Sequence, residues 1–199
     1  MQIRSADLSG RESYQLLTAC VIPRPVAWLS TLDAQGHANL APFSFFGGVT
    51  SSPPTVMVSV GRRKGVRKDS AANLLARGEA VIHIAHRPLA GEMVQTSAEL
   101  APGDDEFEFA GLEKEPAVDV APFRVASAAI AMEGRVVHHQ EVGRGPVDLF
   151  LFEIVRFHLA DEFVVEGLPD AARLAAVGRL GGRSYCDTAG VFEVPRPTA

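Results

Sequence analysis

Arg62, Arg63, Lys64, Arg67 and Lys68 place five cations within seven residues, and no carboxylate interrupts them before Asp69. The cluster sits between the end of a valine-rich stretch and the start of a helix-forming one. Loop cations, unpaired backbone N–H groups and the helix dipole converge there on an anion, and a phosphate is the natural guest. A solvated charged loop is the other reading of the same residues, and local physics leaves both open. A second segment, Asn39-Leu40-Ala41-Pro42-Phe43-Ser44-Phe45-Phe46-Gly47-Gly48, follows directly on a strand. Its backbone can lie along the edge of a flat heterocycle while the phenylalanine rings close over it. A hydrophobic strand end followed by a turn is the alternative. A third segment, Gly178-Arg179-Leu180-Gly181-Gly182-Arg183-Ser184-Tyr185, is too flexible and too basic for ordinary core. A fourth, Asp104-Asp105-Glu106-Phe107-Glu108-Phe109, has carboxylates enough for a hard cation but reads better as an exposed acidic strand or turn.

Other chemistry leaves no signature. There is no Gly-x-Gly-x-x-Gly between a strand and a helix, no Walker loop, no Gly-x-Ser-x-Gly elbow and no His-Glu-x-x-His. The six histidines are His37, His83, His86, His138, His139 and His158. His83 and His86 would face opposite sides of a strand, so all six read as satisfied structural residues. The two cysteines, Cys20 and Cys186, are far apart and in no metal spacing. Cys20, among Leu16, Leu17 and Val21, reads as core.

The elements that must hold these segments are mostly strands. Val26 to Phe43 reads as a hairpin turned at Asp33-Ala34-Gln35-Gly36, and Pro23-Arg24-Pro25 forces an extended approach to it. Thr55–Val60 is a strand with Val56, Val58 and Val60 on one face, and Ala80–Ala85 is another. Between them lies the clearest helix, with Lys68-Asp69-Ser70 as its cap and Gly78 at its C′ position. Leu89–Thr96 predicts a second helix, closed off by Pro102-Gly103. Phe123–Glu133, Gly134–Val142 and Val147–Leu159 read as three strands, with a turn at Gly143-Arg144-Gly145-Pro146. Asp170–Val177 reads as helical, and Pro195-Arg196-Pro197 as a tail. Many short strands with few helices favour a barrel or sandwich over a doubly wound sheet.

The 199-residue chain, 47% hydrophobic and 22% charged, has the composition of one globular domain. A net charge of −5 argues against a nucleic-acid binder. No apolar run is long enough to span a bilayer, and residues 1–17 carry charges throughout instead of a signal peptide's apolar region. The expectation is a cytoplasmic protein.

Taken in order, several segments resemble the flavin reductase-like proteins of the FMN-binding split-barrel superfamily, including the flavoredoxin type. They are Pro23–Ala27, Ser30–Asp33, Asn39–Phe46, Pro53-Pro54, Lys68–Ser70 with Asn73, Thr96-Ser97, Asp105–Phe107 with Gly111-Leu112, and Arg179–Gly182 with Tyr185. The likeness runs from about residue 14 to the C-terminal segment. It implies a mainly β fold, a Greek-key split barrel of about six strands with short flanking helices, with a core over about 14–185 and a tail over 186–199. It also implies a homodimer with FMN near the interface. By analogy Pro42, Phe43, Ser44, Phe45 and Phe46 border the isoalloxazine, while Thr31, Val58 and Ser59 lie near the ring or ribityl chain. Arg62, Lys68, Asp69 and Ser70 hold the phosphate, with serine at position 70 where relatives usually have threonine. Arg179, Leu180 and Gly181 are further cofactor contacts. The implied activity is hydride transfer from NADH or NADPH to FMN and on to an acceptor, such as a partner monooxygenase or an electron-transfer protein. The alternative is a non-catalytic flavin-binding electron carrier without its own NAD(P)H site. Because a flavin would carry the chemistry, no catalytic side chain and no metal is expected.

Overall fold

The computed structural model describes residues 1–101, 103–195 and 197. The expected closure at Pro102 and the tail at Arg196 fall, at those two positions, outside the described residues. Seven strands form one antiparallel sheet: β1 (Ala27–Leu32), β2 (Ala38–Phe43), β3 (Phe46–Ser51), β4 (Pro54–Val60), β5 (Glu79–Ile84), β6 (Ile130–Val142) and β7 (Val147–Leu159). Their spatial order is β2-β1-β5-β6-β7-β4-β3. The first hairpin turns where expected, because the Asp33 carboxylate accepts the backbone N–H groups of Gln35 and His37 at 2.9 and 2.8 Å.

The edge strands β2 and β3 stand at opposite ends of that order, yet only Ser44 and Phe45 separate them in the chain. Three residue steps reach about 11 Å at most, so the two edges must meet in space. The sheet therefore curls into a barrel whose seam is the Ser44-Phe45 link. No ladder joins the two edges; the Ser59 N–H, on β4, donates to the Phe45 carbonyl at 2.9 Å and so extends the β3–β4 pairing up to the link. The fold is a split barrel. Its interior is filled from both sides of the seam, with Phe43 of β2 and Val58 of β4 in the same buried cluster as Leu29, Ile82 and Phe152. Strand β3 is the element that composition hides, since its glycines and exposed outer half carry little strand signal.

Three helices bear on the site. Helix α1 (Gly10–Cys20) was not anticipated, although Ser9 and Glu12 form a reciprocal capping box that is legible in the sequence. Helix α2 (Asp69–Arg77) places Ala71 and Leu74 in the barrel core and ends at Gly78, whose φ of 71° suits glycine. Its expected cap is corrected: Lys68 occupies the cap position and makes no capping bond, while the Ser70 hydroxyl donates elsewhere. Helix α3 (Ala90–Gln95) follows a short 3-10 turn at Arg87–Leu89. It covers a second cluster built on Trp28, Leu40, Met93 and Phe107. The Trp28 indole N–H donates to the Thr96 hydroxyl at 2.9 Å there.

Five other expectations change. The strands predicted over 123–133 and 134–142 are a two-residue piece, Arg124–Val125, and then the continuous β6. Gly134 is not a break; it lets β6 pass close to β7, where an added Cβ would lie 3.3 Å from the Phe152 Cβ. The acidic segment is a single helical turn, α4 (Glu106–Phe109), with Asp105 accepting the Phe107 N–H at 2.8 Å and Glu106 buried. Helix α5 covers only Ala171–Leu174, after which β8 (Val177–Arg179) and β9 (Tyr185–Asp187) pair with each other, and β8 also pairs with Arg24–Pro25. The histidines are not uniformly satisfied: His86 is buried with an unpartnered Nδ1, and His138 is exposed. Cys20 is exposed as well, because the apolar C-terminal end of α1, with Leu17, Val21 and Ile22, is left uncovered by this chain.

Candidate functional site

Two clefts open along the seam side of the barrel and share Pro42 and Ser97 as a common wall. The first, of about 470 Å³, lies where the loop after β4 runs into α2, opposite β2. The second, of about 930 Å³, lies between α1, the Ser44 seam and the β8–β9 hairpin.

The first cleft has a floor of linked polar side chains. Glu106, buried, accepts the Asn39 amide N–H at 2.9 Å and the Leu40 backbone N–H at 3.0 Å. That fixes the Asn39 amide so that its Oδ1 accepts from the Ser70 hydroxyl at 2.7 Å and the Thr31 hydroxyl at 3.2 Å. Asn73 then donates to the Thr31 hydroxyl at 3.1 Å. Burial pushes the Glu106 carboxyl upward, against the hydrogen bonds from Leu40 and Asn39 that favour its ionised form. The chain ties β1, β2, α2 and α4 together beneath the N-terminus of α2.

Above that floor the loop cations separate into two kinds. Arg62 is held by Asp148 at 2.9 Å and Glu141 at 2.8 Å, Arg67 by the same two carboxylates, and Arg63 by Glu99 at 2.6 Å. Arg62 is thus turned toward β7 and does not line either cleft. Lys68 has no carboxylate partner among the described residues. Its ammonium lies 5.5 Å from the Phe43 ring centroid, over a face that attracts cations. Desolvation at the cleft wall, and secondarily the charge of Arg63, lowers its pKa. The first turn of α2 beside it has no side-chain cap, and its residues Asp69 and Ser70 line the cleft.

The structure brings Pro42, Lys68, Asp69 and Ser70 to the first cleft, and Pro42, Ser44, Arg179, Leu180 and Gly181 to the second. Thr31, Phe43 and Val58 are buried within the barrel and line neither cleft. Phe45 lies at the seam with the Arg24 guanidinium 6.0 Å from its ring centroid, and Phe46 packs against the barrel core. Ser59 reaches the seam through its backbone bond to Phe45. Asn39, Asn73, Glu106 and Arg24 had no assigned role in the sequence reading. Nothing local marks the pairing of Asn39 with Glu106, 67 positions apart.

The flavin reductase like domain family matches residues 19–170. The uncharacterized protein YwrF of Bacillus subtilis is 34% identical over 206 residues, spanning 100% of both chains. This chain belongs to the flavin reductase-like family. Among solved structures, nitrilotriacetate monooxygenase component B from Bacillus cereus is 33% identical with a TM-score of 0.94, covering 98% of each chain. Pseudomonas fluorescens 2-nitrobenzoate 2-nitroreductase NbaA is 26% identical with a TM-score of 0.91, covering 100% of this chain and 97% of its own. The flavin reductase-like chain thus matches both folds over nearly its whole length. No helix among the described residues is long and apolar enough to cross a membrane.

Proposed function

We propose that the chain binds FMN along the two clefts and acts as a flavin oxidoreductase, taking hydride from NADH or NADPH and passing electrons to an acceptor. The observation that carries this reading is Lys68: an unpaired cation at an uncapped helix N-terminus, in a loop whose arginines are matched by carboxylates. That arrangement fits a phosphate. Lys68, the backbone N–H groups of Asp69 and Ser70, and the Ser70 hydroxyl would hold it. Arg62 supports the loop through Asp148 instead of reaching the phosphate. Pro42, Ser44 and Phe45 at the seam, with Arg179, Leu180 and Gly181, would border the ring and keep water from it, while Thr31 and Asn73 hold the floor. When bound, the cofactor supplies acceptance and release of hydride, so no protein acid, base or nucleophile is required. A second copy of the chain, seated on the exposed Leu17, Val21 and Ile22 at the end of α1, would make the homodimer. A monooxygenase component among the similar structures supports an oxygenase or electron-transfer partner as the acceptor.

The test is a fluorescence titration with FMN and with riboflavin, which lacks the phosphate. Riboflavin is expected to bind more weakly by about 2 kcal/mol, from the loss of charge-assisted bonds. Equal affinities would sink the proposal. In the same assay Lys68→Ala weakens FMN about tenfold, whereas Lys64→Ala, at an exposed loop position with a φ of 47°, changes it little. Anaerobic bleaching of bound flavin by NADH or NADPH is expected; a flavin that neither reductant bleaches would mark an electron carrier instead.

Cys20 and Cys186 are both free, Cys20 exposed and Cys186 half-buried. Under a flavin-only mechanism the Cys20→Ser, Cys186→Ser double variant keeps NAD(P)H oxidation within about twofold of the parent. Loss of most turnover with FMN still bound would point to thiol chemistry.

A further inference from the structure

The second cleft has walls of one charge sign. Arg11, Arg24, Arg179 and Arg183 line it, and no aspartate or glutamate among the described residues does. Arg24 is the informative member, because it is only 5% exposed. Its guanidinium donates to the carbonyls of Thr18 at 2.5 Å, Val21 at 2.7 Å and Leu180 at 3.0 Å, with the Ser44 hydroxyl at 3.4 Å. No acceptor is a carboxylate; the Thr18 and Val21 carbonyls are the partly negative C-terminal end of α1 and answer only part of the charge. Arginine does not shed its proton when buried, and a buried charge without a counter-ion is costly to the fold. The same chain matches its other poorly exposed loop guanidinium, that of Arg62, with two carboxylates. Arg24 has no carboxylate partner among the described residues and borders a cleft whose other charged walls are arginines.

The geometry around Arg24 is already set for a ligand with an apolar body. Arg179 stacks on the Tyr185 ring, 4.6 Å from guanidinium carbon to centroid, and is held by the Tyr185 hydroxyl and the Gly182 carbonyl. Tyr14 lines the opposite wall on α1. Guanidinium forks beside aromatic rings recognise a planar group that bears an oxyanion. The cleft meets the first one at Pro42 and Ser97; Pro42, Ser44, Leu180 and Gly181 form the wall that the proposed function sets against the ring, and the exposed Arg11 and Arg183 line its outer part.

We infer that the outer part of the second cleft, beyond the wall that borders the flavin ring, is an oxyanion site that holds the flavin's reaction partner, a small aromatic molecule bearing a carboxylate or phosphate, with Arg24 as the buried counter-charge and Arg11 and Arg183 as the outer cations. Its place beside the flavin rests on the proposed function; the anion binding does not.

Isothermal titration of the full chain, with and without FMN, reads it directly, using benzoate, inorganic pyrophosphate and the neutral benzamide as probes. Benzoate or pyrophosphate is expected to bind and benzamide not; benzoate alone assigns a carboxylate ligand, and pyrophosphate alone a phosphate one. The Arg11→Gln, Arg183→Gln double variant, changed only at exposed positions, should lose at least tenfold in anion affinity while FMN affinity stays within twofold. Arg24→Gln should abolish anion binding, and a thermal melt shows whether that variant remains folded; the double variant decides the matter if it does not. Failure of both anions to bind, or equal binding by parent and double variant, would overturn the inference. So would a parallel tenfold loss of FMN, because Arg11 and Arg183 would then serve the cofactor and not a separate anion. Variant-sensitive anion binding in a chain that takes no FMN would overturn the proposed function and leave the oxyanion site standing.

Discussion

Replacing Asp148 with alanine is expected to destabilise the protein by about 3–5 kcal/mol, the usual cost of removing one partner from a buried ionic cluster. Asp148 lies on β7 with its side chain wholly buried, and it accepts from Arg62 at 2.9 and 3.1 Å, from Arg67 at 3.1 Å and from His139 at 2.9 Å. Desolvation opposes its ionisation, but the bonds from Arg62, His139 and Arg67 overwhelm that and hold the carboxyl well below the usual range. Alanine would leave the Arg62 guanidinium, mostly buried, with only the exposed Glu141 to answer it. For a domain whose whole stability is of order 5–15 kcal/mol, that loss is severe. Urea unfolding at neutral pH measures it, and a change below about 1 kcal/mol would contradict the burial argument. The same substitution separates two roles for Arg62. If Arg62 anchors the loop, Asp148→Ala weakens FMN because Lys68 loses its support. If Arg62 holds the phosphate, freeing it tightens FMN. We expect weaker binding.

The second large effect is a loss of stability in mild acid that traces to one histidine. His83, on β5, is fully buried; its Nδ1 meets the Trp28 carbonyl at 2.9 Å and its Nε2 accepts the Val125 N–H at 2.9 Å. Nδ1 therefore carries the proton of a neutral ring. Desolvation, aided by the charges of Arg124 and His158 and opposed by the Trp28 carbonyl, lowers its pKa to about 4. The folded value lies below the unfolded one of about 6.5, so the unfolded chain binds the extra proton first. The contribution is fully present above about pH 6.5 and is lost progressively as the pH falls toward 4. A difference of about 2.5 units corresponds to about 3 kcal/mol over that window. His83→Gln can still donate and accept but cannot titrate. Unfolding free energies of parent and variant between pH 7 and pH 4 should converge by about that amount. Parallel curves would show that His83 does not set the acid sensitivity.

Both effects come from long-range pairings, and that divides what the sequence determined from what the tertiary structure decided. Hairpins, the helix over 69–77 and the cation loop before it are written in local order. Alternating valines at 56, 58 and 60, the Asp33 turn and Gly78 each act within a few residues of themselves, so their consequences are readable from the chain. The ordered motifs also carried the family. What local order does not encode is which charges cancel. Arg62 and Lys68 look alike in the sequence, yet Asp148, 86 positions from Arg62, neutralises one, while the other has no carboxylate partner among the described residues. Glu106 belongs to a segment that reads as exposed acid, until the fold buries it to hold Asn39. Arg24 looked like a strand approach between two prolines, and only the packing of α1, the seam and β8 made it a buried cation beside a cleft. Burial and counter-charge depend on atoms brought together by closure of the barrel, and no stretch of neighbouring residues contains them.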